Sequence, residues 1–306
     1  MKNTSLPVPH HDLSRIVPTN VRDDGNAPHP GNTITVALAG QPNVGKSTVF
    51  NMLTGLHQHV GNWPGKTIEQ KLGTYEYGGT TINFVDLPGT YGLSANSPEE
   101  LIAREYIIRE RPDVVAVILN AAALERNLYL LAELLARPSP GVVGLNMMDV
   151  ASQQGVSIEP QVLEAALGVP VVPMVATKTQ GIDELVEAIT RLAVGDLPYN
   201  PKPPGIRPDH EAELAQLRSL CDPHVPEPYP PDWVALKLFE GDTELTRLMR
   251  ERLPDDVWQE VNSILRAHED AVVDVAGGRY EWIRRMTRAA VVRPKMGQIA
   301  FTDRLD

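Results

Sequence analysis

A phosphate-binding loop is the feature that most constrains what this chain can fold into. Residues 40–47 read G-Q-P-N-V-G-K-S and directly follow the apolar run T-I-T-V-A-L-A of residues 33–39. In the pattern G-x-x-x-x-G-K-[ST], glycines allow a tight turn that aims backbone N–H groups at phosphates, and the following helix adds its positive dipole end. The motif predicts that Lys46 reaches the β- and γ-phosphates of a nucleotide and that Ser47 is a ligand of Mg²⁺.

The sequence around the loop favours this interpretation over a glycine-rich surface turn. A β-type run precedes the loop, and a helical segment over 46–53 follows it and ends at Thr54-Gly55, where a glycine after the helix is usual. The predicted phosphate site comprises the loop and the residue after it: Gly40, Gln41, Pro42, Asn43, Val44, Gly45, Lys46, Ser47 and Thr48.

Length, charge and cysteine content narrow the class of protein. At 306 residues the chain is long enough for about two domains. Its formal net charge of −11 argues against a general nucleic-acid binder, because neutralising phosphates requires clustered Lys and Arg, so we expect no nucleic-acid partner. Cys221 is the only cysteine, which excludes a disulfide within the chain and fits a reducing compartment. We expect an inert, half-buried thiol there.

Neither a secretion signal nor a membrane helix is expected in the sequence as given. Residues 1–30 lack the basic start and apolar core of a signal peptide, and residues 1–32 are predicted to be a flexible tail. The apolar stretch 114–119 is far shorter than the ~20 residues that a membrane helix needs. The chain as given is therefore expected to be soluble.

Apolar β-type runs alternate with helical segments from residue 33 to about residue 193. This alternation predicts an α/β fold, a mostly parallel sheet with helices on both faces. Strands are expected at 33–39, 72–77, 81–86, 114–120, 141–145 and 171–174. Helices are expected at 46–53, 97–109, 124–136, 159–167 and 182–193. The second of these starts at a clear signal, Ser97-Pro98-Glu99-Glu100.

A proline-rich stretch at 198–208 predicts a domain boundary, because a helix or strand is implausible there. Residues 33–196 are thus expected to form the nucleotide-binding domain and residues 197–306 a small all-helical domain. Its helices are predicted at 209–221, 232–240, 242–252, 254–269 and 278–292, with breaks such as Gly277-Gly278 between them.

A second motif, Asp86-Leu87-Pro88-Gly89, ends the strand-like run 81–85. Ligands of α/β proteins bind at the carboxyl edge of the sheet, where this strand would deliver its carboxylate. D-x-x-G alone is commonly a turn, but behind a phosphate-binding loop we interpret Asp86 as a Mg²⁺ ligand and the Gly89 N–H as a sensor of the γ-phosphate.

The third motif, Asn146-Met147-Met148-Asp149, resembles the guanine-reading N-K-x-D signature of GTPases. The Asp149 carboxylate can accept hydrogen bonds from guanine N1–H and the 2-amino group, which adenine lacks. Met147 replaces the usual Lys that would stack over the base, so weaker nucleotide retention is expected. The alternative is an Asn and an Asp that merely end a strand in a turn.

Two further segments complete the predicted site. Val175, Ala176 and Thr177 follow the strand-like run 171–174, and they place the Ala176 N–H near guanine O6. Residues 62–67, N-W-P-G-K-T, lie where GTPases keep their first switch segment, and Thr67 offers a second hydroxyl for Mg²⁺. We count Gly65, Lys66 and Thr67 of this segment among the nucleotide-binding residues.

These motifs resemble those of one family. G-Q-P-N-V-G-K-S-T, G-N-W-P-G-K-T, D-L-P-G-T-Y and N-M-M-D, followed by W-V-A-L-K-L at 233–238 and by Arg279-Tyr280, look like the cytoplasmic G-domain and helical spacer of ferrous iron transport protein B. The resemblance covers about residues 33–306. It implies a P-loop GTPase fold that binds GTP or GDP and hydrolyses GTP on the cytoplasmic face of a bacterial inner-membrane iron transporter.

The resemblance also implies a partner and further cofactor residues. The family's membrane helices follow the helical spacer, and residues 301–306 look like the lead-in to the first one, so the chain is expected to be a truncation whose partner is that membrane region. In that family a K⁺ ion beside the β- and γ-phosphates acts where other GTPases use an arginine finger. Asn43 would hold K⁺ by its side chain, and Gly61 and Trp63 by their carbonyls. Lys46, Asn43 and Thr67 are the expected catalytic residues.

Hydrolysis is expected to be slow, because Thr90 and Tyr91 follow D-L-P-G and no glutamine is present to orient water. Other interpretations are an RNA-associated assembly GTPase, a nucleotide-dependent interaction module and, less favoured, a P-loop kinase. An iron site at His57 and His59 is disfavoured, because two loop histidines without nearby carboxylates are usually solvated. A homo-oligomer is left open.

Overall fold

The structure is a computed structural model that describes residues 33–94, 97–136, 139–206 and 208–292, with residue 209 described for its backbone only. The predicted tail at 1–32 and the lead-in at 301–306 lie outside the described residues. No described helix is both long enough and apolar enough to cross a bilayer.

Nine strands form two sheets within the described residues. They are β1 (Thr33–Gly40), β2 (Gln58–Asn62), β3 (Glu69–Tyr77), β4 (Thr80–Asp86), β5 (Val114–Asn120), β6 (Gly141–Asn146), β7 (Ser157–Ile158), β8 (Val171–Pro173) and β9 (Val291–Val292). The large sheet has the order β2-β3-β4-β1-β5-β6-β8, and β7 pairs with β9 in the small one. β1 is parallel to both β4 and β5, whereas β3 is antiparallel to β4 and β2 to β3.

The helices of the described residues are α1 (Lys46–Thr54), α2 (Pro98–Glu110), α3 (Leu124–Leu134), α4 (Met148–Gln153), α5 (Pro160–Leu167), α6 (Ile182–Ala193), α7 (Glu211–Cys221), α8 (Pro231–Phe239), α9 (Thr243–Arg252), α10 (Asp255–Ala267) and α11 (Ala271–Ala290). The predicted start of α2 is confirmed, because the Ser97 hydroxyl accepts the Glu100 N–H at 3.2 Å and Pro98 opens the helix.

The predicted α/β fold, a mostly parallel sheet with helices on both faces, is confirmed as well.

Strands β2, β7 and β9 and helix α4 are the elements that the sequence did not predict, and β3 begins three residues earlier than the expected 72. Residues 58–62 alternate weakly and are mostly exposed, so they carry no apolar signal of a strand. Register with β3 defines β2, from Gln58 opposite Gly73 to Asn62 opposite Glu69. The turn between β3 and β4 is better marked, since Gly78 and Gly79 both have positive φ, as a two-residue hairpin of this hand requires.

The expected helix break at Gly277-Gly278 is wrong, because α11 runs unbroken from Ala271 to Ala290 and is followed by β9. Packing explains the glycine better than helix termination does. A Cβ on Gly278 would lie 2.9 Å from the carbonyl oxygen of Gly205, so the missing side chain lets the linker pass close to the helix. Burial of Trp282 and Met286 supplies the packing that outweighs the weak helix propensity of glycine.

The core has two layers around the sheet and a third part in the helical region. One sheet face packs against α1 and α6, and the other packs against α2, α3 and α5. Helices α7 to α10 surround their own apolar cluster, which contains Cys221. Cys221 is fully buried, not half-buried as expected, and burial raises the pKa of its thiol to about 11, which fits an inert cysteine.

Helix α11 belongs to both cores. Its first half places Ala271 and Val275 in the helical cluster, and its second half places Trp282 and Ile283 in the core of the sheet. The Trp282 indole N–H also donates to the carbonyl of Lys202 at 2.7 Å, which fastens the proline-rich linker. The helical region is therefore anchored in the sheet by its last helix, and the boundary at residue 196 stays a prediction.

Candidate functional site

The phosphate-binding loop joins the end of β1 to the start of α1 with a left-handed turn. Asn43 has φ 65° and Gly45 has φ 86°, and asparagine is one of the few non-glycine residues that tolerate this region. A Cβ on Gly40 would lie 2.7 Å from the Ile118 carbonyl oxygen, and one on Gly45 would lie 2.4 Å from Asn146 Nδ2. Both glycines are therefore required by close contacts as well as by the turn.

The start of α1 is open to an anion. In the described structure no side chain caps its N-terminus and its first turn carries no acidic residue. Asn43 and Ser47 are exposed beside it, and Thr48 is half-buried. Free N–H groups and the helix dipole make such an end a binding site for phosphate, so the loop fits the group that the sequence predicts. Gln41 differs, because its buried side chain donates to the Arg126 carbonyl at 2.8 Å and ties the loop to α3.

Lys46 and Asp86 form a buried ion pair at the edge of the sheet. The Lys46 ammonium donates to the Asp86 carboxylate and to the Leu87 carbonyl. The D-L-P-G segment also docks on the loop, since the Thr90 N–H donates to the Gly40 carbonyl at 3.2 Å. A Cβ on Gly89 would lie 3.2 Å from the backbone nitrogen of Pro42. The structure thus brings the first two predicted motifs together.

The Asn146 side chain forms hydrogen bonds to both ends of the site and so acts as a brace between them. Its Nδ2 donates to the Val44 carbonyl at 3.0 Å, and its Oδ1 accepts the Ala176 N–H at 3.0 Å. The side chain joins the phosphate loop to the segment after β8, a role that sequence analysis did not assign to it. The Ala176 N–H, which we expected near guanine O6, is engaged by Asn146 in this structure.

Asp149 lies in the first turn of α4 with its carboxylate partly exposed. Its Oδ2 is 3.2 Å from Lys178 Nζ, and its Oδ1 accepts the Val150 N–H at 3.0 Å. The hydrogen bond from Lys178 is the main reason that the pKa of Asp149 lies below its usual value. Sequence analysis missed Lys178, whose position two residues after Ala176 was the available signal. It supplies the cation that Met147, in a left-handed conformation at φ 62°, does not.

The first switch segment lies at the edge of the sheet. Gly61 is in β2, and the buried Trp63 packs edge-on to Tyr106 with ring centroids 5.6 Å apart. The Trp63 carbonyl, an expected K⁺ ligand, accepts the Lys66 N–H at 2.9 Å. Gly65, Thr67 and Thr177 are exposed, and Val175 is buried. Exposed Thr67 is accessible to a ligand, and its predicted Mg²⁺ role stays a prediction.

A buried ion network links the segment after D-L-P-G to the helical region. Glu133 of α3 accepts the Leu93 N–H and lies 2.8 Å from Lys237 Nζ of α8 and 3.5 Å from Arg279 Nη1 of α11. Both cations also contact Glu240 at 2.6 Å. Burial alone would raise the pKa of Glu133, but Lys237 and Arg279 outweigh it and hold the pKa below its usual value.

The fold and these motifs define a P-loop GTPase G-domain with an added helical region. Comparison with protein families matches residues 34–189 to ferrous iron transport protein B and residues 207–292 to the FeoB cytosolic helical domain. The chain belongs to the ferrous iron transport protein B family, and the resemblance seen in the sequence is confirmed.

Relatives and solved structures agree with this assignment. The chain is 38% identical over 281 residues to the Fe(2+) transporter FeoB of Methanocaldococcus jannaschii, covering 89% of this chain and 41% of that protein. It is 33% identical to a Fe(2+) transport protein A/Fe(2+) transporter FeoB fusion protein of Porphyromonas gingivalis, covering 96% and 38%. The chain thus spans well under half the length of these relatives.

Two solved structures illustrate the likeness. A GDP-bound mutant of S. thermophilus NFeoB superimposes with a TM-score of 0.77 at 34% identity, covering 85% of this chain and all of that one. The cytosolic domain of L. pneumophila FeoB superimposes with a TM-score of 0.73 at 31% identity, again over 85% of this chain and all of that one.

Proposed function

We propose that this chain is the guanine-nucleotide switch of a ferrous iron transporter, which binds GTP and hydrolyses it slowly to GDP and phosphate with K⁺ stimulation. The observation that carries the proposal is the brace made by Asn146. It holds the phosphate loop at Val44 and the segment at Ala176 on either side of one side chain, next to Asp149. This arrangement supports a phosphate site and a guanine-reading carboxylate at the same edge of the sheet.

At the phosphate end, Lys46 exchanges partners. In this structure the Lys46 ammonium contacts Asp86, and when a nucleotide binds we expect it to turn to the β- and γ-phosphates while backbone N–H groups of the loop hold the other phosphate oxygens. Ser47, Thr67 and the released Asp86 carboxylate are the residues that would hold Mg²⁺. A bound Mg²⁺ would neutralise charge on the phosphate oxygens.

At the base end, Asp149 selects guanine. Its carboxylate is only partly exposed and is oriented by Lys178 and by the Val150 N–H. Adenine offers no donors to it, so ATP would leave this acceptor without a partner. Contact between guanine O6 and the Ala176 N–H requires that Asn146 share that N–H with the base.

Hydrolysis rests on electrostatic stabilisation more than on a general base. The exposed Asn43 side chain and the carbonyls of Gly61 and Trp63 are the groups that would hold K⁺, whose charge would stabilise the leaving oxygen. The Trp63 carbonyl keeps a second lone pair beyond the one that the Lys66 N–H uses. Because Thr90 and Tyr91 follow Gly89, water must be oriented by backbone groups, and slow turnover follows.

The proposed role in iron transport is supported by the names of the relatives. Proteins named Fe(2+) transporter FeoB are more than twice as long as the matched region. We propose that this chain works at the cytoplasmic face of the inner membrane, with the membrane region of the same full-length transporter as its partner and with self-association as a further property to measure.

Hydrolysis assays with GTP and ATP in matched KCl and NaCl buffers test the proposal. We expect turnover of GTP alone, faster in KCl than in NaCl, and loss of the K⁺ effect in Asn43→Ala. Lys46→Ala should lose triphosphate turnover, and Asp149→Ala should lose the preference for GTP over ATP. Equal rates in both salts would reject the K⁺ role, and turnover of ATP as fast as that of GTP would reject the guanine assignment.

A further inference from the structure

A cluster of imidazole and carboxylate groups lies where α7 begins and where α10 gives way to α11. His210 directly precedes α7, Asp270 directly precedes α11, and Asp274 lies in the first turn of α11. One potential ligand atom of each residue lies within 4.8 Å of those of the other two. His268 and Glu213 lie beside them, with the His268 ring 5.5 Å from that of His210.

Two buried polar atoms in this cluster lack partners among the described residues. His210 is only 5% exposed, and its Nε2 lies 3.0 Å from Asp274 Oδ2, but its Nδ1 has no hydrogen-bond partner. Glu213 has a carboxylate oxygen that is buried without a partner, and its other oxygen is 4.0 Å from His268 Nε2. Buried polar groups are normally satisfied, so unpaired imidazole and carboxylate atoms next to two further carboxylates indicate a polar site that is incomplete without a ligand. The imidazole nitrogen that faces Asp274 is Nε2, so Nε2 is the His210 atom that would bind a cation there.

The surroundings suit a bound ion. Phe239 packs edge-on to the His210 ring with centroids 5.6 Å apart, which shields one side of the cluster from water. Asp270 is exposed and Asp274 is half-buried, so the other side is open to solvent. Ligand atoms about 2.0–2.2 Å from a metal stand some 3–4 Å from one another, and side-chain rotation covers the difference from the observed separations.

We infer that the helical region binds a divalent transition-metal ion through His210, Asp270 and Asp274, and that His268 and Glu213 lie next to this ligand set without being part of it. Imidazole nitrogens combined with carboxylate oxygens suit Fe²⁺, Co²⁺ and Zn²⁺, whereas Ca²⁺ and Mg²⁺ prefer oxygen alone. The site is separate from the phosphate loop, and its existence does not depend on the proposed GTPase activity.

A metal ion at this position would connect two helices of the helical region. The ion would fasten the start of α7 to the first turn of α11, and α11 continues into the core of the sheet. An ion that binds the folded state stabilises it, so metal binding should strengthen the helical region at the helix that anchors it. The competing explanation is a plain structural ion pair between His210 and Asp274, which needs no metal.

Titration of chelator-treated, nucleotide-free protein with Zn²⁺ and Co²⁺ decides between these explanations, and anaerobic Fe²⁺ extends the series. We expect one equivalent to bind, with Zn²⁺ tighter than Fe²⁺. Co²⁺ should produce visible absorption bands, and Zn²⁺ should raise the thermal unfolding midpoint. Asp270→Asn changes an exposed side chain and so should fold; we expect it to weaken Zn²⁺ by roughly tenfold or more. His210→Gln should do the same and also remove the Zn²⁺ stabilisation.

The matched control removes five of the six histidines that lie outside the cluster and its neighbour His268, and it keeps His224. A variant with His10, His11, His29, His57 and His59 all changed to Ala keeps the cluster intact, and it should bind Zn²⁺ as the parent does. Binding that survives Asp270→Asn and His210→Gln but disappears in the five-histidine variant would overturn the site. Absence of any binding to the parent chain would leave only the structural ion pair and would overturn it equally.

Discussion

The nucleotide-binding half and the helical half of this chain use their charged residues in opposite ways. At the sheet edge, Lys46 has Asp86 as its ionic partner and Asp149 has the exposed Lys178, so each of these charges has, among the described residues, one ionic partner that a bound ligand would replace. In the helical half, Lys237 and Arg279 are buried against Glu133 and Glu240, which leaves them no exposed face. Ion pairs in which a ligand can replace one partner suit a binding site, whereas fully buried ion networks hold two parts of a protein together.

The largest loss of ligand affinity is expected from Gly45→Ala, which tests whether the phosphate loop is as tightly enclosed as the structure indicates. A Cβ at Gly45 would meet Asn146 Nδ2 at 2.4 Å, and the left-handed φ adds strain. Affinity for GDP, measured by calorimetry, should fall by roughly a hundredfold or more. Gly55→Ala is the matched control, because it has a positive φ of 52° but nothing within 4 Å. Equal losses in both variants would show that the Asn146 contact is unimportant.

Removing one partner from the buried ion network around Glu133 should strongly lower the stability of the folded chain. Lys237→Ala leaves Glu133 buried with a reduced positive environment, and we expect it to lower the free energy of unfolding by about 3–5 kcal/mol. Urea unfolding measures this loss. The double variant Glu133→Gln/Lys237→Met should be closer to the parent than Lys237→Ala is. For comparison, Arg247→Ala removes an exposed pair with Glu244 and should cost about 1 kcal/mol or less.

The same ion network should weaken in acid. The folded pKa of Glu133 lies below its usual value of 4.5, so the stabilisation is fully present above that value and is lost as the pH falls through the lowered folded pKa. Unfolding experiments between pH 7 and pH 3 should show a steeper loss in the parent chain than in Glu133→Gln. Parallel curves for the two proteins would mean that Glu133 does not contribute.

The smallest effect is expected at the base end of the site. Lys178→Ala removes a partly exposed ion pair, so the pKa of Asp149 should rise toward its usual value in an NMR titration. GDP affinity should change by only about fivefold or less, as expected for a pair near solvent. A large loss of affinity would show that Lys178 contacts the base itself and belongs with the phosphate-loop residues in importance.

Residue order along the chain predicted the sheet and the phosphate loop because their signals are local. The G-x-x-x-x-G-K-S motif, the buried run 114–120 and the helix start at Ser97 each carry their own evidence within a few residues. The positions that sequence analysis missed depend on distant partners. Strand β2 exists because β3 lies beside it, and α11 passes through Gly278 because the linker at Gly205 crosses it.

The same distinction holds within the site. Asp149 could be predicted from its motif, but its partner Lys178 lies 29 residues further along and is recognised only when α4 and the segment after β8 meet. The role of Asn146 as a brace likewise depends on two backbone groups from different loops. Lys237 and Arg279 lie in segments that carry the family resemblance, but their contact with Glu133 could not be predicted, since the three residues come from α8, α11 and α3.

Helix α11 limits how the two halves can move. Twenty residues at 1.5 Å each make a helix about 30 Å long, with its first half in the apolar cluster of the helical region and its second half packed against α3 and α5. A hinge motion that separates the two halves would have to break α11 or expose the buried side chain of Trp282. Because Glu133 accepts the Leu93 N–H and also contacts Arg279 of α11, the segment after D-L-P-G is connected to this helix through one buried side chain.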